Sequence, residues 1–223
     1  MFKKKFLVVI LSAIVFLMLG TVCVFAQETE ASHVASYRED GYEIVYVSTE
    51  GAGNKDGTSA ENAYEGFLNA TAAKTAANKK VAFVLVDTFT WNGWGNFGIN
   101  GGNVIITALD GKNGDAYINI SNGSPNLSAN DVDAHVIFDN IKIVNSTTSK
   151  EPAIHAKGND LTLTENVLVE TKSSYRLIIR ANADTTSTIT ANKITIETPS
   201  LIHLHACGHS KTSTINDKLK TTN

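Results

Sequence analysis

From His135 onward, apolar and polar positions alternate in short segments, and the segments recur. One unit reads Leu161-Thr162-Leu163-Thr164, Val167-Leu168-Val169 and Leu177-Ile178-Ile179-Arg180. Turn-forming stretches separate them: Glu165-Asn166, Lys172-Ser173-Ser174 and Asn182-Ala183-Asp184. Strict alternation over short runs predicts strands, and no run here has the length or the period of a helix. Asn140, Asn166 and Asn192 follow one another at intervals of 26 residues, each after a strand-like segment. On that period Thr212-Ser213-Thr214-Ile215 falls under Thr186-Ser187-Thr188-Ile189. A second series, Ala153-Ile154-His155-Ala156, Ile178-Ile179-Arg180-Ala181 and His203-Leu204-His205-Ala206, advances by 25. Three strands and three turns per period of 25–26 residues predict a parallel β-helix, a solenoid whose coils bury their inward side chains against one another. The asparagines are expected at one corner. Asn tolerates the left-handed conformation a sharp corner needs, and stacked amides form hydrogen-bonded ladders.

Upstream, Glu43-Ile44-Val45-Tyr46-Val47-Ser48 reads as the first strand, followed by a loop rich in Gly, Asn and Asp. Residues 60–78 are alanine-rich, with Tyr64, Phe67, Leu68 and Thr71 at i, i+3, i+4, i+7. That spacing predicts an amphipathic helix, expected to cap the open end of the solenoid. Val81-Ala82-Phe83-Val84-Leu85-Val86 is apolar almost without interruption, as in a strand covered on both faces. Residues 92–102 read as a glycine-rich loop. Its aromatic residues offer stacking surfaces for a sugar, but burial preferences place Trp91, Trp94 and Phe97 in the first coil. Val104-Ile105-Ile106-Thr107 and Ala116-Tyr117-Ile118-Asn119-Ile120 continue the coils, and 121–131 is expected to protrude as a loop.

The chain opens with Met1-Phe2-Lys3-Lys4-Lys5, continues through an apolar run, and reaches Val24-Phe25-Ala26. A basic head, apolar middle and small terminal residue predict a signal peptide over 1–26. A polar leader over 27–42 and the β-helix over 43–223 follow. Removing the three leading lysines leaves 16 basic against 22 acidic side chains, a net charge of −6. That balance argues against nucleic acid or an anionic membrane as partner, and no membrane span is expected after signal removal. With Cys23 removed, Cys207 has no partner for an internal disulfide, so stability must come from core burial.

Val45-Tyr46-Val47-Ser48, Gly51, Asp56-Gly57-Thr58-Ser59, a cap helix and an apolar strand together resemble the opening of secreted right-handed β-helix proteins of the pectin-lyase-like superfamily, of the bacterial cell-surface type. The likeness runs over about residues 43–223. That superfamily includes polysaccharide lyases, hydrolases and esterases as well as surface proteins without catalysis. It implies that the asparagine corner lies between the second and third sheets. The sheet of Ile154, Ile179 and Leu204 is then the one that usually carries the substrate groove.

On that sheet Ile154, Ala156, Ile179, Ala181, Leu204 and Ala206 are expected inward. His155, Arg180 and His205 then form an outward column, with His203 in the neighbouring row. An arginine pairs with a uronate carboxylate bidentately, and a histidine moves a proton near neutrality. The competing reading is a solvated polar face. His203, His205 and Cys207 alternate on one strand, a spacing that chelates zinc; Arg180 in the adjacent coil opposes a cation there, and no metal or other cofactor is expected. Calcium-dependent lyases need clustered carboxylates, and this sheet carries no aspartate ladder. The sequence therefore points to a secreted or cell-surface module that binds or presents carbohydrate without catalysis, with an acidic polysaccharide or surface glycan as partner. The alternative is a polysaccharide-active enzyme using the same face. The last residues begin another coil with no closing helix, so the chain is read as a fragment of a longer protein.

Overall fold

The structure is a computed structural model that describes residues 30–127, 134–147, 153–156, 159–172, 177–182, 194–198, 200, 202–207 and 215–217. The expected signal segment 1–26, Asn192 and residues 212–214 lie outside the described residues. Among the described residues, no helix is long and apolar enough to cross a membrane.

In chain order the elements begin with α1 (Ser32–Glu39), β1 (Glu43–Ser48), β2 (Tyr64–Glu65), α2 (Phe67–Lys74), β3 (Lys80–Leu85), β4 (Phe89–Asn96) and β5 (Gly102–Ala108). They continue with β6 (Tyr117–Asn126), β7 (Ala134–Phe138), β8 (Ile141–Asn145), β9 (Ala153–His155) and β10 (Asp160–Leu163). The last are β11 (Val167–Thr171), β12 (Ile178–Asn182), β13 (Ile194–Ile196), β14 (His203–Cys207) and β15 (Ile215–Asp217). A short 3-10 turn, Ala60–Asn62, precedes β2. Every described strand pairing is parallel. The strands form a β-solenoid of about three turns. One sheet of eight strands runs β15-β13-β10-β7-β5-β3-β1-β2 and makes the long face. The other strands make two further faces joined through β6. Its Tyr117–Ile120 half pairs with β8, and Asn126 pairs with His155 of β9.

The core follows from alternation. Val81, Phe83, Leu85, Val104, Ile106, Val136, Phe138, Leu161 and Leu163 point inward from the long face into a single buried cluster. Register on this face is set by those side chains, because a slip of one residue turns the whole set outward. Val136 and Phe138 therefore pair with Leu161 and Leu163, a step of 25 residues. The 26-residue step read from the asparagines would set Thr162 against Val136. The additional residue enters the corner instead: Asp139-Asn140 in one coil, Thr164-Glu165-Asn166 in the next, after which Ile141 pairs with Val167. The following step departs further. Leu161 and Leu163 pair with Ile194 and Ile196, and these with Ile215 and Asp217. Ile194-Thr195-Ile196 offers two branched apolar residues at i and i+2, where Thr188-Ile189-Thr190 offers one. Asn140 and Asn166 follow the long-face strands of their coils.

The two-sided apolar character of β3 has a structural cause. Ala82 and Val84 face out with Ile44, Tyr46 and Ile105, and these pack with Val34 and Tyr37 of α1. The stretch expected to be a polar leader therefore contains a helix that covers the long face. Its only sequence signal is the Val34/Tyr37 pair at i, i+3.

The cap helix is shorter than residues 60–78. Tyr64-Glu65 extends β1 at its edge (Val47 opposite Tyr64), and Gly66 turns the chain with φ 76° before α2 begins. Only glycine takes that conformation at little cost. The edge strand gives β1 a hydrogen-bonding partner that a continuous helix would have denied it. Phe67 inserts into the core at 2 % exposure, against the rings of Phe83, Phe89 and Phe97. Thr71 Oγ1 donates to the Phe97 carbonyl and anchors the helix there. Residues 92–96 and 121–126, expected as loops, belong to β4 and β6. Gly123 (φ 72°) permits this, because a Cβ there would collide with the Gly93 carbonyl oxygen of the adjacent strand.

Phe67→Ala should destabilise the protein by about 3–5 kcal/mol through loss of a buried aromatic and the cavity left behind. Leu68→Ala, on the 37 % exposed side of the same turn, should change stability by no more than about 0.5 kcal/mol. Denaturant unfolding of both variants tests this; equal midpoints would show that α2 does not close the core.

Candidate functional site

β9, β12 and β14 build the candidate face. Strand pairing sets Ala153, Ile178 and His203 opposite one another, and likewise Ile154, Ile179 and Leu204. The next row is His155, Arg180 and His205, the column expected from the sequence. Adjacent parallel strands put successive members about 4.8 Å apart. Ile154, Ala156 and Ile179 are fully buried and His155 is half-buried, so the alternation runs as expected at these positions. The side chains of Arg180, His203, Leu204, His205, Ala206 and Cys207 lie outside the described residues.

The row extends beyond the three residues read from the sequence. Asn126 of β6 pairs with His155, and Asn96 of β4 pairs with Asn126. Asparagine amides thus continue the column into the earlier coils. Two residues before Asn96 stands Trp94, on the same side of β4. It is 79 % exposed. Trp91 and Phe97 do fill the first coil, at 6 % and 0 % exposure. Trp94 does not: the inward position after it is Gly95, where the site of a Cβ touches the ring of Trp91. A signal for this was present, since Trp91 and Trp94 are three apart and cannot share one face of a strand.

The asparagine corner is organised around a carboxylate. Asn140 takes the left-handed conformation (φ 46°) between β7 and β8. Among the described non-glycine residues Lys55 alone shares that sign of φ, so Asn166 does not repeat the conformation. The longer corner in its coil removes the need. Asp139 accepts hydrogen bonds from the Tyr37 hydroxyl, Thr164 Oγ1, Asn140 Nδ2 (3.0 Å) and Asn166 Nδ2 (3.2 Å). Burial pushes the Asp139 carboxyl up; the hydrogen bonds from Thr164, Tyr37, Asn166 and Asn140 prevail and leave it below its ordinary 3.8. Burial, followed by the hydrogen bond to Asp139, raises the Tyr37 hydroxyl. The cluster ties α1 to the corner and serves the fold.

Among the described residues, no three His, Cys, Asp or Glu side chains gather to hold a metal ion; His203, His205 and Cys207 fall outside that set. Comparison with known proteins finds no matching family model, curated protein or solved structure.

A carboxyl lowered by folding contributes stability above its unfolded value and loses that contribution as pH falls through the folded one. Asp139→Asn should therefore cost about 1–3 kcal/mol at neutral pH. Its deficit relative to wild type should close as the pH drops below 3.8. Denaturation curves over the acid range decide the point; a deficit undiminished at the acid end would assign the loss to packing alone.

Proposed function

We propose that this chain is a carbohydrate-binding or carbohydrate-presenting module without catalysis, and that the face of β9, β12 and β14 contacts an acidic glycan. The observation that supports it is the strand register, which sets His155, Arg180 and His205 side by side and continues them through Asn126 and Asn96. A guanidinium and amides in one row match the carboxylates and hydroxyls that a uronic-acid chain presents at intervals. Trp94 on the same side of β4 adds an exposed indole for the apolar face of a sugar ring. Like charges one strand apart repel by about 1 kcal/mol per pair in water-like surroundings, and an anionic ligand relieves that repulsion.

The same reading places the chain with secreted β-helix proteins of the pectin-lyase-like type. In its favour are coils of three strands, a left-handed asparagine at the β7–β8 corner and the basic-then-apolar start of the sequence. Secretion to the cell surface follows from that start, where glycans are the abundant polyanions.

Calorimetric titration with a uronic-acid oligosaccharide tests the proposal. Affinity should rise as pH falls through the histidine range, about 6.5, and fall with added salt. Arg180→Ala should weaken binding by about tenfold or more, the worth of a charge-assisted pair, and Trp94→Ala should weaken it independently. Equal affinity in wild type and Arg180→Ala, or no binding at either pH, returns the column to an ordinary solvated strand face.

A further inference from the structure

At the capped end, away from the column, a cleft of about 390 Å³ opens between the end of β1, the β3–β4 turn and the first turn of α2. We propose that this cleft is a second site, for a single neutral sugar. Its volume falls at the small end of the range for small-ligand clefts, about 300–1,000 Å³, which suits a monosaccharide rather than a polymer.

The lining is of two kinds. Phe89, half-buried, and Leu68, 37 % exposed, line it with Leu85 and Val47. Ser48, Thr90, Asn69 and Asp87 add hydroxyl, amide and carboxylate groups. A pyranose has the matching division, with C–H bonds on its faces and hydroxyls around its edge. Among the described residues, Ser48 and Thr90 make no side-chain hydrogen bond, so both hydroxyls are open to donate and accept. Asp87 is already engaged: Thr49 donates from its backbone N–H to both carboxylate oxygens (3.1 and 3.0 Å) and from Oγ1 to one (3.1 Å). That engagement holds the carboxylate in the lining with acceptor capacity to spare, since an ionised carboxylate offers about four lone-pair sites.

The chemistry selects between ligand classes. A quaternary ammonium also binds beside an aromatic ring and a carboxylate, but it is held by a cage of several ring faces. Phe67 is 2 % exposed, which leaves Phe89 as the accessible ring of the lining. An acidic sugar would meet Asp87 with no cation lining the cleft. A neutral sugar uses one apolar face and many two-way hydrogen-bonding groups, which is what the lining provides. The cleft does not depend on the acidic-glycan reading of the other face.

Saturation-transfer NMR on the full chain tests this, with glucose, galactose and N-acetylglucosamine as probes and choline as contrast. Saturation of the ring protons of at least one sugar is expected. It should fall by about tenfold or more in Thr90→Arg, which fills the cleft from an exposed strand position. Asn69→Trp, which blocks it from the exposed side of α2, should act alike. Glu39→Ala, at an exposed position of α1 outside the lining, should leave it unchanged. An unaltered unfolding midpoint in either blocking variant secures its reading. No transfer to any of the three sugars, transfer that survives both blocking variants, or transfer to choline alone would overturn the proposal.

Discussion

The constraint on which the rest depends is that the coils from β3 to β13 set an apolar pair, two residues apart, at the same height on the long face. Val136/Phe138 and Leu161/Leu163 meet it and are buried. A parallel solenoid has no other way to hold register, since its backbone ladder is equally satisfied one residue along, while the side-chain set is not. Turn residues are subordinate to this. When the corner grows from Asp139-Asn140 to Thr164-Glu165-Asn166, the strands on either side keep their apolar partners and the corner absorbs the difference. Corners tolerate this because they lie at the surface, where length costs little.

That hierarchy explains what was legible. Strand type, parallel pairing and the Ile154/Ile179/Leu204 and His155/Arg180/His205 rows were readable because apolar alternation and strand pairing carry the same period there. The step from Asn140 to Asn166 was readable too, but it tracked a corner, and corners do not set register. Matching Val136/Phe138 against Leu161/Leu163, and those against Ile194/Ile196, would have given the observed pairing. Asn140 kept its expected left-handed conformation because its corner is the short one. Asn166 contributes through its amide to Asp139 instead.

The ends obey a different rule, which is why they were only partly legible. A repeat specifies its neighbours but not what covers the first coil or an exposed apolar face. β3 announced its need for a cover on both faces, yet the cover came from α1, a helix with one weak apolar pair in a polar stretch. Its docking rests as much on polar contacts at a distance as on Val34. Tyr37 reaches Asp139, and His33 Nε2 lies 2.9 Å from the Ala108 carbonyl oxygen. Bonds between residues 102 and 75 apart leave no periodic trace. α2 was legible at Phe67, whose position in the stripe predicted burial, but not at Tyr64, where pairing to β1 outweighed helix propensity.

Outward positions are free of the core's demand, and this makes their composition informative about function. On β8, Lys142 lies 4.8 Å from the centre of the Tyr117 ring and reaches the Gly114 carbonyl, so that cation is held by its own neighbours. By strand register Arg180 lies between His155 and His205, in a row that continues through Asn126 and Asn96 and contains no acidic residue. Folding gains nothing from concentrating these groups, because strands pair as well with Ser or Thr at outward sites. Trp94 makes the same point in apolar terms. An indole left 79 % in water, on a strand where Gly95 leaves room for Trp91, contributes little to the core.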